Sequence, residues 1–132
     1  FEKLEKLADP SYVKFIPHPK DEELRKLYSG AKAFIFPQIE DFGLVAAEAQ
    51  ACGTPVIAYN VGGGPEIVLN RRTGILFDKQ TPEAVMQAIG ESMKIKWDRK
   101  YISKEAQRFS KENFKKNLLS CLNCCGFKTD EA

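Results

Sequence analysis

Two carboxylates, Glu40 and Glu48, stand either side of seven residues in the stretch EDFGLVAAEAQACGTPVIA, residues 40 to 58. Glu48 is the only charged side chain between Asp41 and Glu66. A lone carboxylate in a small, apolar run is costly to bury unless it is hydrogen-bonded or reaches a crevice, so Glu48 is expected to have a partner, a ligand among the candidates. Gly43 permits close backbone approach. A helix starting beside it would aim free N–H groups and its positive dipole end at an anion. Eight residues at helical rise cover roughly 12 Å, so such an anion would have a carboxylate on either side. Carboxylates repel phosphate and accept hydrogen bonds from hydroxyls, which suits a sugar at one end, a diphosphate in the middle and a ribose at the other.

The elements that must position these groups read as α/β. The run at 12–16 (YVKFI) is short and β-rich, and those at 33–36 (AFIF), 55–59 (PVIAY) and 74–77 (GILF) are short and apolar throughout, which marks strands covered on both faces in a parallel sheet. Helical patterns alternate with them. DEELRKLYSGA begins at Asp21 behind acidic first-turn residues. PEAVMQAIGESMKI (82–95) follows Thr81 as cap and Pro82 in the first turn, with Val85, Ile89 and Met93 as its apolar stripe. Two further helices are expected over about 98–109 and 111–122, and the ending KTDEA is expected to fray. The expectation is a Rossmann-like doubly wound sheet. Ligands in such sheets sit in the loops at the carboxyl ends of the strands, here PHPK, PQIEDFG and NVGGGPE.

At 132 residues and 43% apolar content the chain has the size of one domain, residues 1–132. Its net charge of +2, with basic residues spread along the chain, gives no footprint for nucleic acid. No run is apolar enough to span a bilayer, and FEKLEKLADP reads as a charged helical fragment and not as a signal peptide. Cys52 lies in the apolar helix, while Cys121, Cys124 and Cys125 crowd near the end, too close together for a disulfide framework. Reduced thiols in a cytoplasmic setting are the expectation. A zinc site would need a fourth ligand, and His18, the only histidine, is in a distant loop.

Each candidate also has a plain structural reading. Glu40 alone fits a solvated turn residue or a helix-entry cap, and Glu48 a carboxylate satisfying a buried backbone group. Glycines after a strand, such as Gly62, Gly63 and Gly64, serve turns more often than phosphates. An NAD-binding domain is excluded because no Gly-x-Gly-x-x-Gly follows the first strand.

Glu40-Asp41-Phe42-Gly43-Leu44-Val45 with Glu48-Ala49, followed by Gly53, Pro55-Val56-Ile57-Ala58, Gly62-Gly63, Pro65-Glu66 and Thr73-Gly74, closely resembles the donor-binding domain of family 4 retaining glycosyltransferases of the GT-B fold. The likeness runs from about 13 to 122, with residues 98–122 as the terminal helices that pack at or cross back to a partner domain. It implies one half-domain of that fold, without its first strand. Glu40 matches the glutamate that contacts the transferred sugar and faces its anomeric carbon. Phe42 and Gly43 match positions lining the sugar, Leu44 and Val45 those whose amides meet the diphosphate, and Glu48 the glutamate that holds the ribose hydroxyls. By the same resemblance His18 lies near the nucleobase, Gly62 and Gly63 form a wall of the sugar pocket, and Glu66 braces the short helix that follows.

The implied activity is transfer of a hexose from a nucleotide diphosphate sugar with retention, by a front-face route in which Glu40 orients the sugar and is not a covalent nucleophile. GDP-mannose is the first expectation for the donor and a UDP-hexose the second. No metal or organic cofactor is expected, since the chain has no Asp-x-Asp motif. Family members start this domain with a strand ending in Gly-Arg, then a lysine that clamps the diphosphate; here the chain starts after that point. An amino-terminal acceptor-binding domain is therefore an expected partner, and the acceptor a lipid or glycan, which would place the enzyme at the cytoplasmic membrane surface. The alternative is a non-catalytic nucleotide-binding or interaction module of the same fold.

Overall fold

The computed structural model describes residues 2–126; the expected frayed end KTDEA lies outside the described residues. Three strands, β1 (Phe34–Phe36), β2 (Val56–Tyr59) and β3 (Gly74–Phe77), form a parallel sheet in the order β1-β2-β3. Phe34 lies opposite Val56, and Val56 opposite Gly74. β2 and β3 are apolar without alternation because both faces are covered, while Ile35 of β1 is 43% exposed. On one face Phe36, Val56 and Ala58 pack with Ala46, Ala47 and Ala49 of α3 (Leu44–Ala51), Ile67 of α4 (Gly64–Ile67) and Tyr28 of α2 (Asp21–Gly30). On the other, Ile57, Ile75 and Phe77 pack under Ala88 and Val85 of α5 (Pro82–Met93). Full burial of residues such as Phe36, Ile57 and Ile67 contributes about 1.5–3 kcal/mol each.

α5 starts as the sequence implies, with the Thr81 hydroxyl accepting from the Ala84 amide at 3.3 Å and Pro82 in the first turn. Its buried line is Ala88 and Ser92, flanked by half-buried Val85 and Ile89, while Met93 is 73% exposed and falls out of the expected stripe. The helix ends there and the chain turns back. Ile95 and Trp97 fill the space instead, the indole N–H donating to the Ser92 carbonyl at 3.1 Å.

The strand expected at 12–16 does not form. The amides of Tyr12 and Val13 both donate to the Asp9 carbonyl, at 3.0 and 2.9 Å, and the Ser11 amide donates to the Asp9 carboxylate at 2.9 Å. A local turn therefore takes the first donors of that run, and among the described residues no strand pairs with it. Ahead of it, α1 (Glu2–Leu7) is helical but buries nothing. The carboxyl-terminal helices are α6 (Arg99–Ala106), capped by Asp98 from the Tyr101 amide at 3.0 Å, and α7 (Lys111–Cys124), capped by Ser110 from the Asn113 amide at 3.3 Å. A 3-10 turn, Gln107–Phe109, joins them.

Candidate functional site

The loop from β1 to α3 carries most of the chemistry. β1 ends at Phe36, and Gly43, the residue before α3, adopts φ 83°, a left-handed conformation that glycine enters without strain. A side chain there would also meet the Phe36 ring at 3.0 Å. Gly43 offers no side chain to cap the helix, and the first amides of α3, those of Leu44 and Val45, have no intrahelical acceptor. The start of α3 is thus a cluster of free donors at the positive end of the helix dipole.

Both acids face solvent. Glu40 is exposed, and one carboxylate oxygen accepts from the Gln38 amide group at 2.9 Å. Glu48 is exposed as well, which corrects the reading of its surroundings as a buried face. Residues 46, 47, 49 and 50 turn inward, and 44, 48 and 51 turn out, so the lone charge marks the outer line of a helix whose inner line is almost all alanine. It lies four residues after Leu44, about 6 Å along the axis, so only half of the eight-residue span from Glu40 rises as helix. Neither acid is tied up in the interior.

The glycine loop after β2 packs directly on this one. The Gly63 amide donates to the Glu40 carbonyl at 2.7 Å. A β-carbon on Gly63 would lie 2.3 Å from the Phe42 carbonyl oxygen, and one on Gly62 2.6 Å from that of Glu40, so only glycine lets the two loops touch. Gly62 and Gly63 therefore back the Glu40–Phe42 segment. Glu66 was expected to brace α4 with its carboxylate, but no side-chain cap is recorded there; its carbonyl is held instead by Arg108 at 3.0 Å. His18 is exposed in a left-handed turn, φ 48°, and among the described residues no hydrogen bond links it to the α3 loop. Beside Gln38 a cleft of about 690 Å³ is lined by Pro37, Gln80, Thr81 and Met86, and Gln80 donates to the Pro37 carbonyl at 2.7 Å.

Three participants were not singled out from sequence: Gln38, Arg108 and Phe109. Gln38 sits two residues from Glu40, a local signal open to reading. The other two arrive from far along the chain. Phe109 meets the half-exposed Phe42 edge-on, with ring centroids 5.6 Å apart and planes at 89°. The cysteines at 121, 124 and 125 are free and exposed, Cys52 is free and half-buried, and among the described residues no group of three or more His, Cys, Asp or Glu is placed to hold a metal.

With this geometry in view, residues 2–109 match the family described as Glycosyl transferases group 1. The chain belongs to that family. It is 38% identical over 120 residues to a D-inositol 3-phosphate glycosyltransferase of Corynebacterium urealyticum, covering 87% of this chain and 28% of the relative. A D-inositol 3-phosphate glycosyltransferase of Mycobacteroides abscessus is 48% identical over 80 residues, 60% of this chain and 18% of the relative. Among solved structures, sucrose-phosphate synthase from Thermosynechococcus elongatus superposes with a TM-score of 0.74 at 30% identity, over 96% of this chain and 35% of that one. A glycosyltransferase from Rickettsia africae gives 0.61 at 30% identity, over 79% and 30%. This group 1 chain thus spans under a third of the first of its curated relatives, and its three strands are part of a Rossmann-like half-domain. Among its described residues no helix is long and apolar enough to cross a membrane.

Proposed function

We propose that this chain is the nucleotide-sugar-binding part of a retaining hexosyltransferase, with GDP-mannose as first donor and a UDP-hexose as second. The observation that carries the reading is the uncapped start of α3 with a solvent-facing carboxylate on either side, Glu40 before it and Glu48 one turn within. Free amides at a helix start suit a diphosphate, and exposed carboxylates suit the hydroxyls beside it.

In the proposed reaction the bond from the anomeric carbon to the diphosphate oxygen breaks, and its electron pair leaves with the diphosphate. The acceptor hydroxyl oxygen forms the new bond on the same face, and its proton passes to the departing diphosphate. Charge grows on the phosphate oxygens, where the Leu44 and Val45 amides and the α3 dipole stabilise it. Glu40 orients the sugar hydroxyls and supports the electron-poor ring; Glu48 grips the ribose. Phe42 and Gly43 line the sugar, with Gly62 and Gly63 as its wall and His18 towards the base. The acceptor, a lipid or glycan at the cytoplasmic membrane surface, is supplied through a further acceptor-binding domain.

In the intact enzyme Glu40→Gln is expected to cut turnover about 100-fold or more with donor affinity within about threefold. Glu48→Gln is expected to weaken donor binding about tenfold at nearly unchanged turnover. Isothermal titration with GDP-mannose and UDP-glucose, beside initial rates, separates the two. Donor binding without turnover in the unsubstituted enzyme would favour the non-catalytic module, and equal small effects of both substitutions would remove the assignment.

A further inference from the structure

The 3-10 turn Gln107–Phe109 touches both loops of the candidate site, and nothing in the proposed reaction uses it. One Arg108 guanidinium nitrogen donates to the Glu66 carbonyl at 3.0 Å and to the Ile67 carbonyl at 2.7 Å, gripping the end of α4. The same guanidinium lies 4.5 Å from the centroid of the Phe109 ring. Phe109 in turn stands edge-on to Phe42, in the loop that carries Glu40. The circuit closes at the other end of α4, where the Gly63 amide bonds the Glu40 carbonyl and Gly63 abuts Phe42.

We infer that Arg108 and Phe109 are positioning residues that fix the spacing between the Glu40–Phe42 segment and the glycine loop. Without them the two loops are joined by the hydrogen bond from the buried Gly63 amide to the Glu40 carbonyl and by the close approach of Gly62 and Gly63 to the backbone of 40–42, a segment exposed to solvent. An aromatic edge contact and a guanidinium on two carbonyls are directional, so they hold a geometry as well as a contact. The brace acts on the sugar side of the site, at Glu40 and Phe42. Phe109 also packs against the core cluster that holds the alanines of α3, whereas Glu48 lies on the exposed outer line of that helix. For its effect on catalysis the inference rests on the donor reading above; for its effect on the loops it does not.

The test is hydrogen exchange of the intact, ligand-free enzyme by mass spectrometry, followed by rates with GDP-mannose and by titration with GDP. Phe109→Ala is expected to speed exchange of the peptide spanning 61–68 about tenfold, with the β2 peptide unchanged. Turnover is expected to fall about tenfold while GDP affinity stays within about twofold, because a misplaced Glu40 costs rate and not nucleotide binding. Phe109→Tyr, which keeps the ring, restores both. Arg108→Ala, a change at an exposed side chain, is expected to act in the same direction and serves if Phe109→Ala does not fold. Unchanged exchange at 61–68 in both variants, equal acceleration in β2, or loss of GDP binding in step with turnover would each overturn the inference. If the unsubstituted enzyme neither binds nor uses a nucleotide sugar, the donor reading fails and the brace is judged on the exchange result alone.

Discussion

Each end of the sheet is held by an arginine from the last third of the chain, and the two arginines hold different things. At the amino ends of the strands Arg99 donates to the carbonyls of Ser29 and Ala31, at 2.6 and 3.0 Å, and to the Thr54 hydroxyl at 3.0 Å. Thr54 is fully buried, and its own hydroxyl donates a hydrogen bond to the Tyr28 carbonyl. That guanidinium closes the end of α2 onto the start of β2, beside an apolar cavity of about 570 Å³ lined by Ile35, Ile57, Ile89 and Trp97. At the carboxyl ends Arg108 performs the same act on α4, yet what it closes is a loop bearing an exposed acid and half-exposed Phe42. Guanidinium on helix-end carbonyls is one interaction with two uses. Substitutions at the amino end should therefore read out in stability alone, and those at the carboxyl end in binding and rate as well as in stability.

The sharpest way to break that division is Gly63→Ala. Its β-carbon would sit 2.3 Å from the Phe42 carbonyl oxygen, so the two loops must part and the Gly63–Glu40 hydrogen bond must stretch. The cost is expected to be about 2–3 kcal/mol by urea unfolding, with donor binding weakened as well. An alanine accommodated without loss in either assay would mean that the loops are not in register, and the carboxyl end would lose its distinct character.

Arg99→Ala tests the other end. It removes the donor to the carbonyls of Ser29 and Ala31 and to the buried Thr54 oxygen, whose hydroxyl keeps its bond to Tyr28, for an expected loss of about 1–2 kcal/mol in unfolding free energy with nucleotide affinity unchanged. Should affinity fall in proportion to stability, the two ends are one unit and the comparison dissolves.

How far the sequence discloses all this depends on the reach of each interaction. β1, β2 and β3 were legible within a residue or two because a parallel strand buried on both faces leaves a continuous apolar run, and α5 because Thr81-Pro82 is a local start signal. Residues 12–16 have the right composition but not the ladder, which is a property of two segments and not of one. On α3 the exposure of Glu48 was hidden by Leu44, an apolar residue 65% exposed on the same outer line, and by inner positions that are small enough to look neutral. The motif around Glu40 was legible as a resemblance. Arg108 and Phe109 were not, since they reach Glu66, Ile67 and Phe42 across more than forty residues, and no short-range spacing encodes that.

The smallest expected effect probes the seam between the two regions. Tyr28 belongs to the core at the end of α2, and burial pushes its phenol above the ordinary value of 10.0; the negative charge of Glu48 adds to the rise, and Cys52 adds after it. The fold thus favours the neutral phenol. Below pH 10.0 folded and unfolded chains both keep the proton, so this contribution to stability is fully present. As pH rises further the unfolded chain ionises first, and the contribution is lost through the folded-state pKa. Tyr28→Phe is expected to remove that alkaline loss, read as the difference in urea midpoint between about pH 9 and about pH 11. Glu48→Gln is expected to reduce it by less, because burial is the larger cause, and to bring the phenolate absorbance step to lower pH. A Tyr28 phenolate step that Glu48→Gln leaves in place would mean that the carboxylate does not sense the core tyrosine.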